Sequence, residues 1–217
     1  MRRSRGLFIT LEGPEGSGKS TQIRHLAVAL DKAGYSVVQT REPGGTSVAE
    51  SIRDVLLSSS RQEPIEAQTE ALLILAARSQ HVTHLIKPAL ARGAIVLCDR
   101  FSDSTLAYQG YARGLDRKWL TAVNDAVSLN PDLTLLLDVP IGIGLARRRQ
   151  ARGKQNRLDR ESERFHRRVR KGFLALAKQS PRRVKVIDAN RPADDIRTEL
   201  ETFVLRWASE HRLRRNK

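Results

Sequence analysis

A short apolar run that stops at a glycine-rich loop and a lysine constrains this chain more than any other feature. After the run at 7–11 comes GPEGSGKS at 13–20, which fits the spacing G-x-x-x-x-G-K-[ST] at every fixed position. Such a loop joins a strand to a helix, and the apolar run together with the 3.6-residue apolar period of 22–33 predicts both elements. A plain glycine turn would need neither the lysine nor the serine, so the segment predicts a phosphate-binding loop.

The residue types of this loop suit a nucleoside triphosphate. Main-chain N–H groups wrap a polyphosphate, so glycines are needed where the backbone turns tightly, and the N-terminus of the following helix adds partial positive charge. Lys19 supplies a full charge to the β- and γ-phosphates, and the Ser20 hydroxyl is placed to ligate Mg²⁺. The predicted triphosphate-binding residues are Gly13, Pro14, Glu15, Gly16, Ser17, Gly18, Lys19, Ser20 and Thr21.

Apolar runs of strand length alternate with helical periods along the chain. Further strands are predicted at 35–40, 94–98, 133–139 and 184–187, and helices at 22–33, 47–57, 66–92, 116–129 and 193–209. Pro88 is expected to kink the long helix near its end. We therefore expect an α/β protein with the three-layer P-loop NTPase fold, in which helices flank a five-stranded parallel sheet.

Asp99 directly follows the apolar run at 94–98, at the carboxyl end of a predicted strand. A P-loop enzyme has a carboxylate at that place on the Mg²⁺ side, so Ser20 and Asp99 are the predicted metal residues. An aspartate there can also cap the next helix, and the two roles do not exclude each other.

Length and composition limit the domain count and the compartment. The chain of 217 residues is expected to form one domain over 1–210, followed by a disordered basic tail at 211–217. Its apolar runs are too short for a membrane span, and the run at 7–11 is too short for a signal-peptide core. The single cysteine, Cys98, lies in an apolar run and allows no disulfide framework, so we expect a core residue and a cytoplasmic location.

The net charge of +15 is concentrated in one part of the chain. Residues 1–140 hold 16 Lys and Arg against 15 Asp and Glu, whereas 141–217 hold 23 against 9. Such charge is typical of nucleic-acid binders, yet no recognition motif accompanies it and aromatic residues are only 5% of the chain. We therefore expect no specific nucleic-acid partner.

A GTP-dependent switch is another function that a phosphate loop allows. It requires an N-K-x-D motif, which does not occur, and a D-x-x-G motif after a strand, whereas the only match, at 31–34, lies at a helix end. The five histidines show no metal-ligand spacing with cysteine or carboxylates. His81 and His84 are interpreted as helix residues without a catalytic role.

Several segments together resemble bacterial thymidylate kinases. Beside the phosphate loop they are TREPGGT at 40–46, AARSQH at 76–81, DRFSDSTLAYQG at 99–110, LLLDVP at 135–140 and NRLDRESERFHRRV at 156–169. The resemblance covers the chain from about residue 7 to the last helix. It implies transfer of the γ-phosphate of ATP, with Mg²⁺, to dTMP, which gives dTDP and ADP for dTTP synthesis, in a homodimer.

The resemblance also implies roles for individual residues. Glu15 would organise the metal and the acceptor end, Arg100 would grip the acceptor phosphate, and Arg78 would hydrogen-bond the thymine edge. Tyr108 would pack under the sugar and crowd a ribose 2′-hydroxyl. Ile74 departs from many relatives, which carry a stacking phenylalanine there, so we expect looser base binding. The implied substrate residues are Glu12, Arg41, Pro43, Ile74, Arg78, Arg100, Ser104, Thr105, Tyr108 and Gln109.

Members of this family differ in whether a mobile arginine comes from the phosphate loop or from a lid. Loop positions 14–17 hold no arginine, whereas the basic lid, at about 147–156, has four. An arginine delivered to the transferring phosphoryl group raises the rate roughly 10³–10⁵-fold. We expect Arg149 and Arg152, then Arg147, to supply this arginine. A solvated helix face is the alternative, and it suits the arginines at 160–170 better. The expected catalytic residues are Lys19, Arg100, Arg149, Arg152 and Glu15.

Overall fold

The computed structural model describes residues 5–58, 63–151 and 156–211. Its strands are β1 (Phe8–Glu12), β2 (Val37–Arg41), β3 (Ile95–Asp99), β4 (Leu133–Asp138) and β5 (Val184–Asp188). Its α-helices are α1 (Lys19–Lys32), α2 (Ser47–Leu57), α3 (Ala67–His81), α4 (Lys87–Ala91), α5 (Ser102–Thr105), α6 (Arg117–Val127), α7 (Ile141–Gln150), α8 (Glu163–Gln179) and α9 (Ala193–Glu210). The remaining elements are two π-helical segments and one 3₁₀ turn, at Val82–Ile86, Leu106–Ala112 and Leu158–Arg160.

The strands form one parallel sheet in the order β2-β3-β1-β4-β5. Every residue of β1 is buried, and β3 and β4 are buried except at their last residues. Strands covered on both faces read as continuous apolar runs, which explains their sequences. The expected α/β fold with a five-stranded parallel sheet is confirmed. Because β1, β2 and β3 are parallel, the segments after them meet at one edge of the sheet, where ligands bind in such folds.

Helices cover both faces of the sheet. One face packs against α1 and α9 through residues such as Leu30 and Val204, and the other packs against α4 and the preceding π-helical segment through Ile86. A third apolar cluster joins α8 to the π-helical segment at Leu106–Ala112. This packing makes the sheet a rigid support for the segments that follow its strands.

The helix expected at 66–92 is interrupted. A π-helical turn separates α3 from α4, and Pro88 lies in the first turn of α4. Proline has no N–H and its ring clashes with the carbonyl four residues earlier, so the distortion precedes Pro88. In contrast, α1 ends within one residue of the end expected at 33. Gly34 follows it with a φ of +86°, and the bond from Tyr35 N to Leu30 O, at 3.1 Å, closes the helix end.

Two expected segments lie partly outside the described residues. Residues 152–155 of the expected lid, Arg152 among them, are outside, as are residues 212–217 of the expected tail. The division into 1–210 and 211–217 stays a prediction. Among the described helices, none is both long and apolar enough to cross a membrane.

Candidate active site

The phosphate loop leaves β1 and enters α1 through residues with positive φ. Gly18, the N-cap residue of α1, has φ +91°, which a residue with a Cβ rarely adopts. Gly13 has φ +145°, and a Cβ on it would lie 2.3 Å from the carbonyl oxygen of Leu137. Both glycines are therefore required for the turn that exposes the N–H groups at the start of α1.

Lys19 lies over this loop. Its Nζ donates to the carbonyl oxygens of Gly13 and Pro14, each at 3.0 Å, and to Ser17 Oγ at 3.3 Å. Burial, together with the charge of Arg100, lowers the pKa of Lys19 to about 8. An anion beside the ammonium group opposes both effects, so the surroundings of Lys19 favour binding of a polyphosphate.

Ser20 and Asp99, the two predicted metal residues, are in contact. Ser20 Oγ donates to Asp99 Oδ2 at 2.6 Å, across the gap between α1 and β3. Hydroxyl and carboxylate oxygens are the hard ligands that Mg²⁺ prefers, so these residues fit that ion. In the described part of the chain, no group of three or more His, Cys, Asp or Glu could hold a metal. The ion would therefore complete its shell with phosphate and water oxygens.

The carboxylate of Glu15 joins two predicted substrate residues. Glu15 Oε1 accepts from Arg100 Nη2 and from the Tyr108 hydroxyl, each at 2.8 Å. Burial opposes its ionisation, but the charges of Arg100 and Lys19 outweigh burial and lower the pKa of Glu15 to about 2. Burial also raises the pKa of Tyr108 well above its ordinary value. At neutral pH the site therefore contains an anionic carboxylate held between a cation and a neutral phenol.

Arg100 stands at a strained position. Its φ is +68°, and it is the non-glycine residue with positive φ among those the structure describes. In the left-handed region a residue with a Cβ costs about 1 kcal/mol or more, so surrounding contacts must hold it there. Arg100 N donates to the Leu11 carbonyl at 3.0 Å, and its Nη1 donates to the Gly13 carbonyl at 3.2 Å.

Glu12 supports this turn from behind. Its side chain is fully buried and accepts from Phe101 N at 2.8 Å, Ser104 N at 3.2 Å and Ser104 Oγ at 2.6 Å. Burial and the neighbouring Asp103 raise its pKa to about 7. The structure therefore places Glu12 beneath the turn that carries Arg100, whereas the resemblance had implied a substrate contact.

Two adjoining depressions open at this edge of the sheet. One, which we call the acceptor pocket, is lined by Glu15, Glu42, Pro43, Ile74, Arg78, Arg100, Phe101, Ser104, Thr105, Tyr108, Gln109 and Leu158. The other, the phosphate cleft, contains Lys19, Ser20, Asp99 and Arg41. Eight of the ten implied substrate residues lie in the acceptor pocket, Arg41 lies in the phosphate cleft, and Glu12 lies beneath. The two depressions share five lining residues, which are Glu15, Glu42, Pro43, Arg100 and Leu158.

The guanidinium of Arg78 is fixed by residues that sequence reasoning missed. Its Nε donates to Glu42 Oε2 at 2.8 Å and its Nη1 donates to Asn124 Oδ1 at 2.5 Å. His81 in turn contacts Glu42 Oε1 at 3.0 Å and Thr40 Oγ1 at 2.7 Å. His81 thus orients Glu42. The signal was present for Glu42, which stands inside the TREPGGT segment, but not for Asn124 on α6.

Glu70 on α3 was also missed, although it joins the acceptor pocket to the segment after the lid. Glu70 is fully buried and accepts from Gln109 Nε2 at 2.7 Å, from Arg113 Nη2 at 3.1 Å and from Arg157 Nη2 at 2.5 Å. Burial opposes its charge, but these arginines lower the pKa of Glu70 below its ordinary value. Gln109 and Arg157 therefore share one buried carboxylate.

Further arginines line the phosphate cleft. Arg53 on α2 donates to the Pro43 carbonyl at 2.8 Å, and burial together with Arg41 lowers its pKa, which indicates uncompensated positive charge. Arg148 lines the same cleft and pairs with Asp159 at 2.7 Å. Arg53 was not predicted, because its helix shows no local signal beyond amphipathic spacing. Arg148 is one of the four arginines of the expected lid, but it was not among those expected to act.

The expected lid arginines differ in their engagement. Arg147 Nη1 donates to the Ala189 carbonyl at 2.9 Å. Arg149 is exposed, and no hydrogen bond or ion pair to another described residue engages it. Arg152 lies outside the described residues. Arg149 and Arg152 were the two arginines expected first to contact the phosphoryl group. Of these two, Arg149 is the one whose side chain the structure describes, and that side chain is free of bonds to other described residues.

Comparison with known proteins agrees with this geometry. The family model described as "Thymidylate kinase" matches residues 11–200. A thymidylate kinase of Pseudomonas fluorescens is 51% identical over 201 residues, which cover 92% of this chain and 95% of that protein. One from Thermomicrobium roseum is 54% identical over 189 residues, with 86% and 89% covered. The crystal structure of thymidylate kinase from Ehrlichia chaffeensis superposes with a TM-score of 0.72 and 36% identity, covering 94% of this chain and 99% of that one.

Proposed function

The chain belongs to the thymidylate kinase family and phosphorylates dTMP, and from this premise we propose how its residues divide the work. The donor is MgATP, and the γ-phosphate passes directly to the phosphate of dTMP, which gives ADP and dTDP. No covalent intermediate is needed. Catalysis comes from positioning the two phosphates and neutralising the charge that develops between them.

One observation carries this proposal. The Glu15–Arg100 pair, at 2.8 Å, belongs both to the phosphate cleft and to the acceptor pocket. A triphosphate on the loop and a monophosphate beside Arg100 would therefore meet at one point. This shared boundary is what direct transfer between two phosphates requires.

On the donor side, the loop N–H groups and Lys19 bind the triphosphate. Ser20 and Asp99 would hold Mg²⁺, which when bound neutralises phosphate charge. Contact between Ser20 Oγ and Asp99 Oδ2, at 2.6 Å, supports this assignment, because two hard oxygen ligands are already adjacent.

On the acceptor side, Arg100 and Arg41 bind the dTMP phosphate, and we add Arg53 to them. The lowered pKa of Arg53 supports this addition, since an anion would compensate the excess positive charge. The attacking oxygen belongs to a phosphate that is already ionised at neutral pH, so no general base is needed. Glu15 holds Arg100 and Tyr108 in place for this step.

The nucleoside is recognised by the rest of the acceptor pocket. Arg78, held by Glu42 and Asn124, has N–H groups left for the thymine edge, and Gln109 lies near it. Tyr108 lines the same pocket, and its ring would exclude a ribose 2′-hydroxyl. Ile74 gives the base an aliphatic contact.

Arginines at the end of α7 complete the charge compensation. We retain Arg149 and Arg152 as the residues that reach the transferring phosphoryl group, with Arg147 next. Arg148 is added because it lines the phosphate cleft. Single Arg→Gln substitutions at the four positions would identify the one whose loss lowers kcat most.

Assembly and location belong to the same proposal. A homodimer is what the family implies, and the half-exposed Val48 on α2 and Leu72 on α3 give these neighbouring helices apolar surface for it. Light scattering on the purified chain tests it. A cytoplasmic location rests on the single, buried and free Cys98.

The function is tested by the initial rate of ADP formation with MgATP and dTMP, dUMP, UMP, dCMP or dGMP in turn. We expect the highest rate with dTMP, a lower rate with dUMP and almost none with UMP. If dTMP gave no rate while ATP still bound, the roles of 41–46 and 99–109 would be wrong and only the triphosphate site would stand.

A further inference from the structure

The backbone of helix α7 approaches the backbone of the phosphate loop closely at Gly144. A Cβ built on Gly144 lies 2.4 Å from the carbonyl oxygen of Glu15, and a Cβ built on Gly16 lies 1.9 Å from the carbonyl oxygen of Gly144. Real Cβ atoms do not approach other heavy atoms so closely, and a backbone carbonyl cannot rotate away as a flexible side chain can. The two glycines therefore permit a backbone contact that no other residue would allow.

The backbone conformation at position 144 does not require a glycine. It lies inside α7 and is not among the residues with positive φ, so alanine would suit its backbone better than glycine does. Gly142, on the same helix, is the natural comparison, because a Cβ there would meet nothing within 4 Å. Gly144 is buried and Gly142 is exposed, and a Cβ on Gly144 would meet Val139 Cγ1 at 3.2 Å as well as the loop carbonyl.

The contact lies between two parts of the active site. Glu15, whose carbonyl Gly144 touches, carries the carboxylate that binds Arg100 and Tyr108. Four residues further along α7, Arg148 is paired with Asp159 through two hydrogen bonds, at 3.0 and 2.7 Å. One helix is thus pressed against the loop near its beginning and anchored near its end.

We infer that Gly144 is a positioning residue, which sets the place of Glu15 relative to the arginines of α7. An added methyl group would push the Glu15–Gly16 peptide away from the helix. The Glu15 carboxylate would then move relative to Arg100, and displacements of about 1 Å cost on the order of 10²-fold in rate. This inference rests on the proposed role of Glu15 in holding Arg100.

The experiment compares Gly144→Ala with Gly142→Ala, each in the wild-type and in the Glu15→Gln background. We expect Gly144→Ala to lower kcat about 10- to 100-fold in the wild-type background and less than threefold in Glu15→Gln, because the residue acts through Glu15. Gly142→Ala should stay within twofold in both. A purely structural role would lower kcat equally in the two backgrounds.

Three outcomes overturn the inference. They are wild-type kcat for Gly144→Ala, an undiminished effect of Gly144→Ala in the Glu15→Gln background, and wild-type kcat for Glu15→Gln. The last also overturns the proposed role of Glu15, whereas the first two leave that role standing if Glu15→Gln itself is slow. The two failures are therefore distinguishable.

A measurement on the unchanged chain covers the case in which Gly144→Ala does not fold. Amide hydrogen exchange is followed with and without MgADP. Because the two backbones are in contact, we expect MgADP to slow exchange in both 13–18 and 141–146. Slowing confined to 13–18 would overturn the inference.

Discussion

Arg100 in the proposed active site and Arg167 on the outer face of α8 both pair with a glutamate, yet their surroundings differ. The Arg100–Glu15 pair leaves 18% and 16% of its side chains exposed, whereas Arg167 and Glu163 leave 69% and 52% exposed. The first pair has further partners, Tyr108 and the Gly13 carbonyl. Low-dielectric surroundings strengthen every interaction of the first pair, while water and salt screen the second.

The comparison teaches that charge excess alone does not locate the chemistry, because 141–217 holds both the α7 arginines that we propose for the phosphoryl group and arginines that lie far from it. Nearly all the net charge lies in 141–217, but much of it on α8 is solvated or paired. Arg170, for instance, binds Asp138 through two hydrogen bonds, at 2.7 and 2.8 Å. The balanced part, 1–140, holds Lys19, Arg41, Arg53 and Arg100, which converge on the phosphate cleft. Four predictions sharpen this contrast, in order of decreasing effect.

A comparison of Arg100→Gln with Arg167→Gln tests the contrast between the two ion pairs directly. We expect Arg100→Gln to lower kcat/KM for dTMP by roughly 10²–10³, the loss typical of one preorganised donor to a developing charge. Arg167→Gln should stay within twofold, because an exposed pair contributes about 0–1 kcal/mol and lies outside the site. Steady-state kinetics of ADP formation measure both. Equal losses would show that the two regions do not differ in the way proposed.

The buried carboxyl of Glu12 predicts a pH dependence of stability. Its pKa is raised from the ordinary 4.5 to about 7, so between these values the unfolded chain releases a proton that the folded chain keeps. The free energy of unfolding therefore falls as pH rises from about 4.5 to 7, by about 3 kcal/mol from this group. Urea titrations of wild type and Glu12→Gln over that range should differ by this slope. Glu163→Gln, which removes an exposed carboxyl, is the control, and equal slopes for wild type and Glu12→Gln would contradict the prediction.

Tyr108→Phe separates the hydroxyl of that residue from its ring. Loss of the hydrogen bond to the charged Glu15 should lower kcat about tenfold, in line with the strength of charge-assisted bonds. The ring remains, so UMP should stay excluded. Rates with dTMP and UMP measure both effects. Tyr111→Phe, which removes a hydroxyl bonded to the exposed Arg117, should change neither, and a rise in UMP use by Tyr108→Phe would contradict the proposed role of the ring.

Ile74→Phe should have the smallest effect. Base–aromatic stacking is worth about 1–3 kcal/mol and an aliphatic contact recovers part of it, so we expect the KM for dTMP to fall about threefold. Leu72→Phe, at a half-exposed position of the same helix, should leave KM unchanged. An unchanged or higher KM for Ile74→Phe would count against a base contact at this position.

The residues found from sequence are those whose signal is local. The phosphate loop has fixed spacing, and Asp99 follows a buried strand, so both could be placed without a structure. Asn124 and Glu70 were missed because their partners are distant along the chain: Arg78 lies 46 residues from Asn124, and Arg157 lies 87 residues from Glu70. No periodicity or spacing connects positions so far apart.

The sequence by itself determined the α/β alternation, the phosphate loop and the family, because strand runs, helical periods and the G-x-x-x-x-G-K-[ST] spacing are properties of neighbouring residues. Only the tertiary structure decided which charges line the acceptor pocket and the phosphate cleft. It placed Glu12 beneath the turn of Arg100, brought Arg53 into the phosphate cleft and laid Gly144 against Glu15. Burial and mutual contact across the sheet edge set these relations, and they depend on how the layers pack.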